Sequence, residues 1–203
     1  MIHEYRCYRL FPELFLRYCS LAEDLVPRLR GDKYGKLVGF WSSIGIGNCT
    51  VHHIWQYESL DERTVARQLL GQDSEWIDQF IKNAWPTMAE QTVRFLNPLI
   101  FNSPPSGDHR YQIRVYKGAS GAFTNLSSAI ASRPRSSDEH LVALYTAESP
   151  DPNEIIEVVC MSENIPTDLT RTFDNFEWLE SVGGLLKSIE VNEVQPLGLS
   201  PLV

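Results

Sequence analysis

Apolar and polar residues follow two different periods along the first hundred residues. Residues 2–9 alternate and carry Ile and Tyr, which is typical of a β-strand. After Pro12 the apolar residues recur at every third or fourth position, as they do on one face of a helix. Ser59 and Glu62 form a capping pattern at the start of another helix. The predicted elements are a strand over 2–9, a helix from Pro12 to about Gly31, strands over 36–43 and 49–57, helices over about 60–70 and 74–85, and a strand over 91–96.

The second half of the chain repeats this order of elements. Five short matches recur in register, among them Glu4–Tyr8 with Gln112–Tyr116 and Leu37–Ser42 with Leu141–Thr146. The predicted elements are strands over 110–116, 140–147, 154–161 and 187–194, and helices over about 119–131 and 168–180. The sequence therefore predicts one unit over residues 1–101, a linker over 102–109 that is rich in turn formers, and a second, diverged unit over 110–203.

The order β-α-β-β-α-β in each half is that of a ferredoxin-like unit. Its helices cover one face of an antiparallel sheet, so the other face needs a partner. The second copy can supply that partner. We therefore predict an α+β fold in which two tandem ferredoxin-like units form a pseudo-dimeric α/β barrel within one chain.

Composition and charge narrow the classes of function. The chain has 203 residues, of which 43% are hydrophobic, and its net charge is −8. An acidic chain is a poor binder of nucleic acid or of anionic membranes, so we expect neither partner. No run approaches the length of a membrane span and no signal peptide is evident, which leads us to expect a cytoplasmic protein. No Cys-x-x-Cys pair, metal-ligand cluster or phosphate loop is present, so no metal and no cofactor are predicted.

The two halves differ in the residues that carry chemistry. All but one of the five tryptophans lie in the first half, and most of the acidic excess lies in the second. When the two halves of the chain are aligned with each other, Val51–Tyr57 corresponds to Ile156–Ser162. The second copy has lost the His, Trp and Tyr of this strand. A polar site is therefore expected in the first half.

The candidate site combines two predicted strands. Glu4, Arg6 and Tyr8 share one face of the first strand, and His53, Trp55 and Tyr57 share one face of the third. The predicted catalytic residues are His53 as a general base, Arg6 as an oxyanion holder and Tyr57 as an orienting hydroxyl. The predicted substrate-binding residues, with the two tryptophans as walls, are Glu4, Tyr8, Trp41 and Trp55.

Several of these segments together resemble the NIPSNAP family. The resemblance lies in Glu4-x-Arg6-x-Tyr8, Leu37-Val-Gly-Phe-Trp41, His53-Ile-Trp-x-Tyr57, Ser59-Leu-Asp-Glu-Arg63 and Asp73-x-Glu-Trp76. It covers residues 2 to about 99, and the second half matches only in outline. The resemblance implies a dimeric α/β-barrel fold, but little activity, because the family is poorly defined biochemically. Its animal members are tied to mitochondria and vesicle traffic.

Alternatives to a catalytic site remain open. Glu4 and Arg6 can form a buried ion pair beside a core histidine, with no ligand at all. A haem bound by His53 is a minor alternative. The two main hypotheses are a cofactor-independent enzyme (an isomerase, cyclase or oxygenase) that acts on a largely apolar small molecule, which we slightly favour, and a non-catalytic interaction or scaffold protein. The chain can be a monomer or a homo-oligomer.

Overall fold

The computed structural model describes residues 1–45, 47–104, 109–162 and 176–202. In the first half, strands and helices follow the predicted order. They are β1 Ile2–Leu10, α1 Phe15–Leu25, β2 Lys36–Gly45, β3 Asn48–Tyr57, α2 Leu60–Leu70, α3 Lys82–Ala84 and β4 Met88–Phe101. A short 3-10 turn at Pro12–Leu14 precedes α1, and π-helical turns cover Val26–Arg30 and Trp76–Ile81. The closing strand β4 is longer than the predicted 91–96.

The second half contains the same order of elements. They are β5 Arg110–Gly118, α4 Phe123–Ala131, β6 Glu139–Ser149, β7 Glu154–Met161, α5 Phe176–Val182 and β8 Leu186–Pro196. The helix predicted from about 119 begins only at Phe123. Most of the helix predicted over 168–180 lies outside the described residues, and so does half of the predicted linker.

The chain folds into two compact units. Unit 1 comprises Met1–Phe95 and Gln195–Val203, and unit 2 comprises Leu96–Val194. In unit 1, β3 lies between β1 and β2 and is antiparallel to both. Gln195 and Pro196 at the end of β8 pair with the other edge of β2. The last residues of the chain therefore complete the first unit.

Unit 2 has the equivalent sheet. Strand β7 lies between β5 and β6, and the first part of β8 pairs with the other edge of β5. In both units the middle of the sheet is formed by the third strand of the repeat, as a ferredoxin-like unit requires. The α+β class and the two tandem ferredoxin-like units predicted from the sequence are confirmed.

The helices of unit 1 cover the sheet face that carries the candidate residues. Tyr8, Trp55 and Tyr57 belong to one buried cluster with the apolar face of α1, and the Tyr8 and Tyr18 rings meet edge to face at 6.1 Å. The candidate residues thus lie between the sheet and its helices. Within the described part of the chain, no helix has the length and hydrophobicity of a membrane span.

Candidate functional site

The strand register brings six of the seven predicted site residues to one buried region of unit 1. Arg6 lies directly opposite His53 in the β1–β3 ladder, and Glu4 lies opposite Trp55. Tyr8 follows Arg6 by two residues and Tyr57 follows His53 by four, so both side chains occupy the same face of the sheet. All six side chains are buried.

Three polar side chains of β1 and one of α2 form a hydrogen-bonded chain. Arg6 donates to the Glu4 carboxylate from Nε and to the Tyr8 hydroxyl from Nη1, the latter over 3.0 Å. Arg63 of α2 binds the other oxygen of Glu4. Burial acts to raise the pKa of Glu4, but the guanidinium groups of Arg6 and Arg63 outweigh it and hold that pKa below its usual value. Glu4 is therefore an ionised anchor for two arginines.

The start of α2 is capped as the sequence predicts, and its arginine points to the core. Arg63 binds Glu4 and not the acidic residues at the start of its own helix. The Ser59 hydroxyl accepts from the Glu62 N–H at 3.1 Å, as the capping pattern predicts. The Glu62 carboxylate in turn accepts from the Glu58 N–H.

Arg30 is a buried residue of this region that the sequence pattern did not indicate. It ends the π-helical turn after α1, is 4% exposed, and its Cζ lies 3.3 Å from the centre of the Trp55 ring. It donates to the Tyr57 hydroxyl over 2.9 Å and to the Tyr34 carbonyl over 3.3 Å. Among the described residues it has no carboxylate partner, and its Nε has no acceptor. Burial lowers the pKa of Arg30 to about 10.

Arg67 adds a fourth guanidinium to this region. It follows Arg63 by one helical turn on α2 and is half-buried. Burial, and then repulsion by Arg6, lower the pKa of Arg67. We call Glu4, Arg6, Arg30, Arg63 and Arg67 the arginine cluster. It sets four guanidinium groups against one carboxylate.

His53 lies in an aromatic sandwich beside the arginine cluster. Its ring stacks on Phe40 and meets the Tyr8 ring edge on, each at 4.9 Å between centroids. Its Nδ1 accepts from the Trp55 indole N–H over 2.7 Å, which puts the ring proton on Nε2. Burial, followed by the charges of Arg6, Arg30 and Arg67, lowers the pKa of His53 well below 6.5. The imidazole is therefore neutral at pH 7 and can offer a ligand an N–H donor.

Trp41 is the predicted site residue that the structure does not bring to this region. The pairing of β2 with β3 shifts by one residue at a β-bulge between Leu37 and Gly39. Strict alternation without the bulge would place Trp41 opposite Val51. With the bulge, Trp41 lies opposite His52, on the other face of the sheet, and Phe40 lies opposite His53. Phe40 thus takes the wall position that was assigned to Trp41.

Unit 2 contains a network at the equivalent place, with a different balance of charge. Arg114 lies opposite Glu157 in the β5–β7 ladder, as Arg6 lies opposite His53. The alignment of the two halves by sequence paired His53 with Val158. It is therefore wrong by one residue in this strand. Leu144 also lies opposite Glu157, as Phe40 does opposite His53, and β6 has the same bulge between Leu141 and Ala143. Glu157 is thus the structural counterpart of His53.

The Glu157 carboxylate is fully buried and saturated with donors. It accepts from Tyr116 over 2.8 Å, from Arg135 over 2.7 Å and from Arg114 over 3.3 Å. Arg133 binds Glu139 over 2.9 Å and also reaches Glu157. Burial acts to raise the pKa of Glu157, but the three arginines outweigh it and hold that pKa below its usual value. Unit 2 thus sets two carboxylates of its own against two buried arginines, Arg114 and Arg133, and the partly buried Arg135.

Among the described residues, neither a cluster of metal ligands nor an open cleft provides a better candidate site. No group of three or more His, Cys, Asp or Glu side chains in residues 1–45, 47–104, 109–162 and 176–202 could hold a metal ion. An open cleft of about 360 Å³ lies in unit 2, whereas the arginine cluster lies in unit 1. It is lined by Asn97, Gly121, Phe123, Thr146, Glu148 and Asn153, among others. The cleft contains no arginine or histidine, so we do not take it as the candidate site.

Two solved structures share the fold of nearly the whole chain. A candidate monooxygenase from Fusobacterium nucleatum covers 97% of this chain and 92% of its own, with a TM-score of 0.65 and 14% identity. A candidate monooxygenase from Lactobacillus acidophilus covers 96% and 93%, with a TM-score of 0.61 and 13% identity. At such identities the likeness establishes the fold alone.

The first half of the chain has a closer relationship by sequence. It is 31% identical over 101 residues to Protein NipSnap of Drosophila melanogaster, a match that covers 50% of this chain and 36% of the fly protein. The sequence profile of the NIPSNAP family matches residues 3–103. The resemblance seen in the strand and cap motifs is therefore confirmed: residues 3–103 form a NIPSNAP domain, and the chain belongs to the NIPSNAP family.

Proposed function

We propose that this chain is a small-molecule-binding protein whose site is the arginine cluster of unit 1 together with His53. The observation that carries the proposal is Arg30. A buried guanidinium without a carboxylate is costly, and proteins usually compensate such a charge. In unit 2, Glu157 and Glu139 compensate the charge of Arg133. In unit 1, no carboxylate among the described residues pairs with Arg30. A bound ligand with an electron-rich group would supply the missing compensation.

The surroundings of the arginine cluster suit an apolar ligand body. Phe40, Tyr8, Trp55 and Tyr57 are buried beside the guanidinium groups. Pockets for small molecules commonly combine such aromatic walls with a few convergent polar groups. The side chains of Arg63 and Arg67 on α2 are only partly buried, so α2 borders the part of this region that is nearest to solvent. The ligand class is thus a largely apolar small molecule with one polar end.

The proposal is tested by thermal unfolding against a panel of neutral, cationic and anionic aromatic compounds. A compound present at a hundred times its Kd is expected to raise the Tm of the wild-type chain by roughly 5–10 °C. Arg30→Gln should abolish that rise. Arg17→Gln, which removes an exposed arginine of α1, should keep it. A panel without any binder, or binding that survives Arg30→Gln, would contradict the proposal.

A cofactor-independent enzyme, as the sequence suggested, is the second candidate. It is favoured by the fold shared with two proteins described as candidate monooxygenases. The role of His53 would then differ from the predicted general base, because its Nδ1 already accepts from Trp55 and its Nε2 carries the proton. His53 would instead donate to a developing oxyanion, with Arg6 beside it. Oxygen uptake by the wild-type chain, but not by Arg30→Gln, in the presence of a compound that binds would support this candidate.

The remaining alternatives have less support. A haem ligated by His53 requires open space at the imidazole, but the ring packs against Phe40 and Tyr8. A purely scaffolding role leaves the uncompensated Arg30 without a reason. It would gain support if the panel of compounds yields no ligand.

A further inference from the structure

The two units share a framework of polar side chains, but their carboxylates lie at different positions. Unit 1 has Glu4 where unit 2 has Gln112, and unit 2 has Glu157 where unit 1 has His53. Arg6 corresponds to Arg114, and Tyr8 to Tyr116, by their places in the two ladders. Arg30 and Arg133 each follow the first helix of their unit. The central acceptor of this framework is the Glu157 carboxylate in unit 2, and in unit 1 its place in the sheet is taken by the neutral His53.

This exchange leaves unit 1 with donors that have no acceptor among the described residues. In unit 2 the Tyr116 hydroxyl donates to Glu157, whereas in unit 1 the Tyr8 hydroxyl receives a hydrogen bond from Arg6 and its own proton has no acceptor. The buried Nε of Arg30 has no acceptor, but this is also true of Arg133 and Arg135 in unit 2. The difference is that Arg133 and Arg135 pair with carboxylates through their other nitrogens and Arg30 does not. The guanidinium of Arg67 makes no ion pair within the described part of the chain. The three groups belong to the same arginine cluster or adjoin it.

Unit 2 shows which chemical group satisfies such a set of donors. A single carboxylate there binds one tyrosine hydroxyl and three arginines. Guanidinium groups match the geometry of carboxylates well, and such hydrogen bonds are stronger than neutral ones. Unit 1 has Glu4 but no carboxylate at the position of Glu157, and aromatic rings surround that position.

We infer that the ligand of unit 1 is a small aromatic carboxylic acid, and that its carboxylate takes among Arg30, Arg67 and Tyr8 the role that Glu157 has in unit 2. This inference rests on the function proposed above and specifies its ligand class. The body of the ligand supplies the apolar part, and the acid adds a second carboxylate to the arginine cluster. Unit 2 needs no such ligand, because its own side chain occupies the equivalent place.

The inference is tested with benzoate as the probe and benzamide as its neutral analogue. Isothermal titration at pH 7 should show benzoate binding to the wild-type chain at least ten times more tightly than benzamide. Arg67→Gln removes a half-exposed group and should weaken benzoate binding at least tenfold without lowering Tm. The matched control Arg17→Gln should bind benzoate as the wild type does.

His53→Glu provides the decisive variant, because it gives unit 1 the carboxylate that unit 2 already has. It should abolish benzoate binding while the circular-dichroism spectrum stays unchanged. If this variant does not fold, the comparison of Arg67→Gln with Arg17→Gln decides the question by itself. Retained benzoate binding in a folded His53→Glu protein, or in Arg67→Gln, would overturn the inference.

The outcomes also separate this inference from the proposed function. Equal binding of benzamide and benzoate that is lost in Arg30→Gln would refute the carboxylic acid and leave a small-molecule site in place. Tight binding of inorganic phosphate with weak binding of benzoate would likewise refute the acid in favour of another anion. Failure of the wild-type chain to bind any member of the larger panel would refute both.

Discussion

At the scale of single residues, the contrast between Arg30 and its counterpart Arg133 shows how the two units use buried charge. Both guanidinium groups are buried at the end of the first helix of their unit. Arg133 is held by Glu139 and Glu157, whereas Arg30 is held by the Trp55 ring and by hydroxyl and carbonyl oxygens. The residue type is the same, but only the unit 2 arginine is paired with carboxylates.

This contrast predicts unequal effects of one substitution on stability. Arg133→Met leaves two buried carboxylates with less compensation and should lower the free energy of unfolding by about 3 kcal/mol. Arg30→Met leaves no carboxylate unpaired and should change that free energy by less than about 1 kcal/mol. Urea unfolding of both variants measures the difference. If the two losses were equal, Arg30 would be a structural residue and not part of a ligand site.

The two histidines of β3 make stability depend on pH. Burial lowers the pKa of His52 to about 4 and that of His53 well below 6.5, so the unfolded chain takes up protons first as the pH falls. Their contribution is fully present above about pH 6.5 and is lost progressively below it. Between pH 6.5 and 5 the free energy of unfolding should fall by about 2 kcal/mol for each histidine.

Urea unfolding of His52→Gln at the same two pH values checks this dependence. Between pH 6.5 and 5 the free energy of unfolding of this variant should fall by about 2 kcal/mol less than that of the wild-type chain, because one of the two histidines is absent. A pH dependence as steep as that of the wild type would show that His52 is not held neutral in the folded state.

At the scale of elements, the sequence predicted the strands well and the faces of one strand wrongly. Alternation along β1 and β3 correctly placed Arg6, His53 and their neighbours on one face, because each of those strands runs without interruption. It failed in β2, where the bulge inserts one residue and exchanges Trp41 for Phe40. Gly39 is a weak sequence signal of the bulge, because isolated glycines within strands are common at bulges, but Val38 and Gly39 also fit a regular strand. The same bulge in β6 makes it a feature of the repeat.

The bulge predicts a specific steric requirement at Gly39. A Cβ at this position would overlap the Trp41 ring, which covers the glycine on the face away from His53. Gly39→Ala should therefore lower the free energy of unfolding by about 3 kcal/mol. Unit 2 has Ala143 and Tyr145 at the equivalent positions, so the double variant Gly39→Ala/Trp41→Tyr should recover most of the loss. Equal losses for the single and the double variant, measured by urea unfolding, would contradict this steric requirement.

The sequence pattern did not indicate Arg30 and Arg67, because charged residues near helix ends and on helix surfaces usually face solvent. Two signals were nevertheless available. An arginine follows the first helix in both copies, and Arg63 and Arg67 are one helical turn apart. Their burial depends on how α1 and α2 pack on the sheet, which the periodicity of one element does not specify.

At the scale of the whole molecule, the end of the chain belongs to the unit that begins it. The Leu197 N–H donates to the Phe40 carbonyl, and the Phe40 N–H donates to the Ser200 hydroxyl, each over 3.0 Å. Phe40 is the residue that stacks on His53. The tandem repeat read from the sequence predicted two units, but it did not predict that residues 195–203 support the candidate site.

Deletion of Leu197–Val203 should therefore weaken unit 1, although the deleted residues follow unit 2 in the chain. The loss of the hydrogen bonds to Phe40 should lower the free energy of unfolding by about 2 kcal/mol and should weaken any ligand bound near His53. Ser200→Ala, which removes one of these bonds, should cost about 1 kcal/mol. Unchanged stability and ligand binding in the truncated chain would show that the segment does not position Phe40.

The most direct test of a ligand site in unit 1 is nitrogen-15 NMR of the His53 imidazole, assigned by comparison with His53→Gln, as the panel of compounds is added at pH 7. We predict a neutral ring with its proton on Nε2, whose resonances shift when an aromatic acid binds. A neutral ring that responds to no compound would contradict a ligand site here and would make the arginine cluster a structural network.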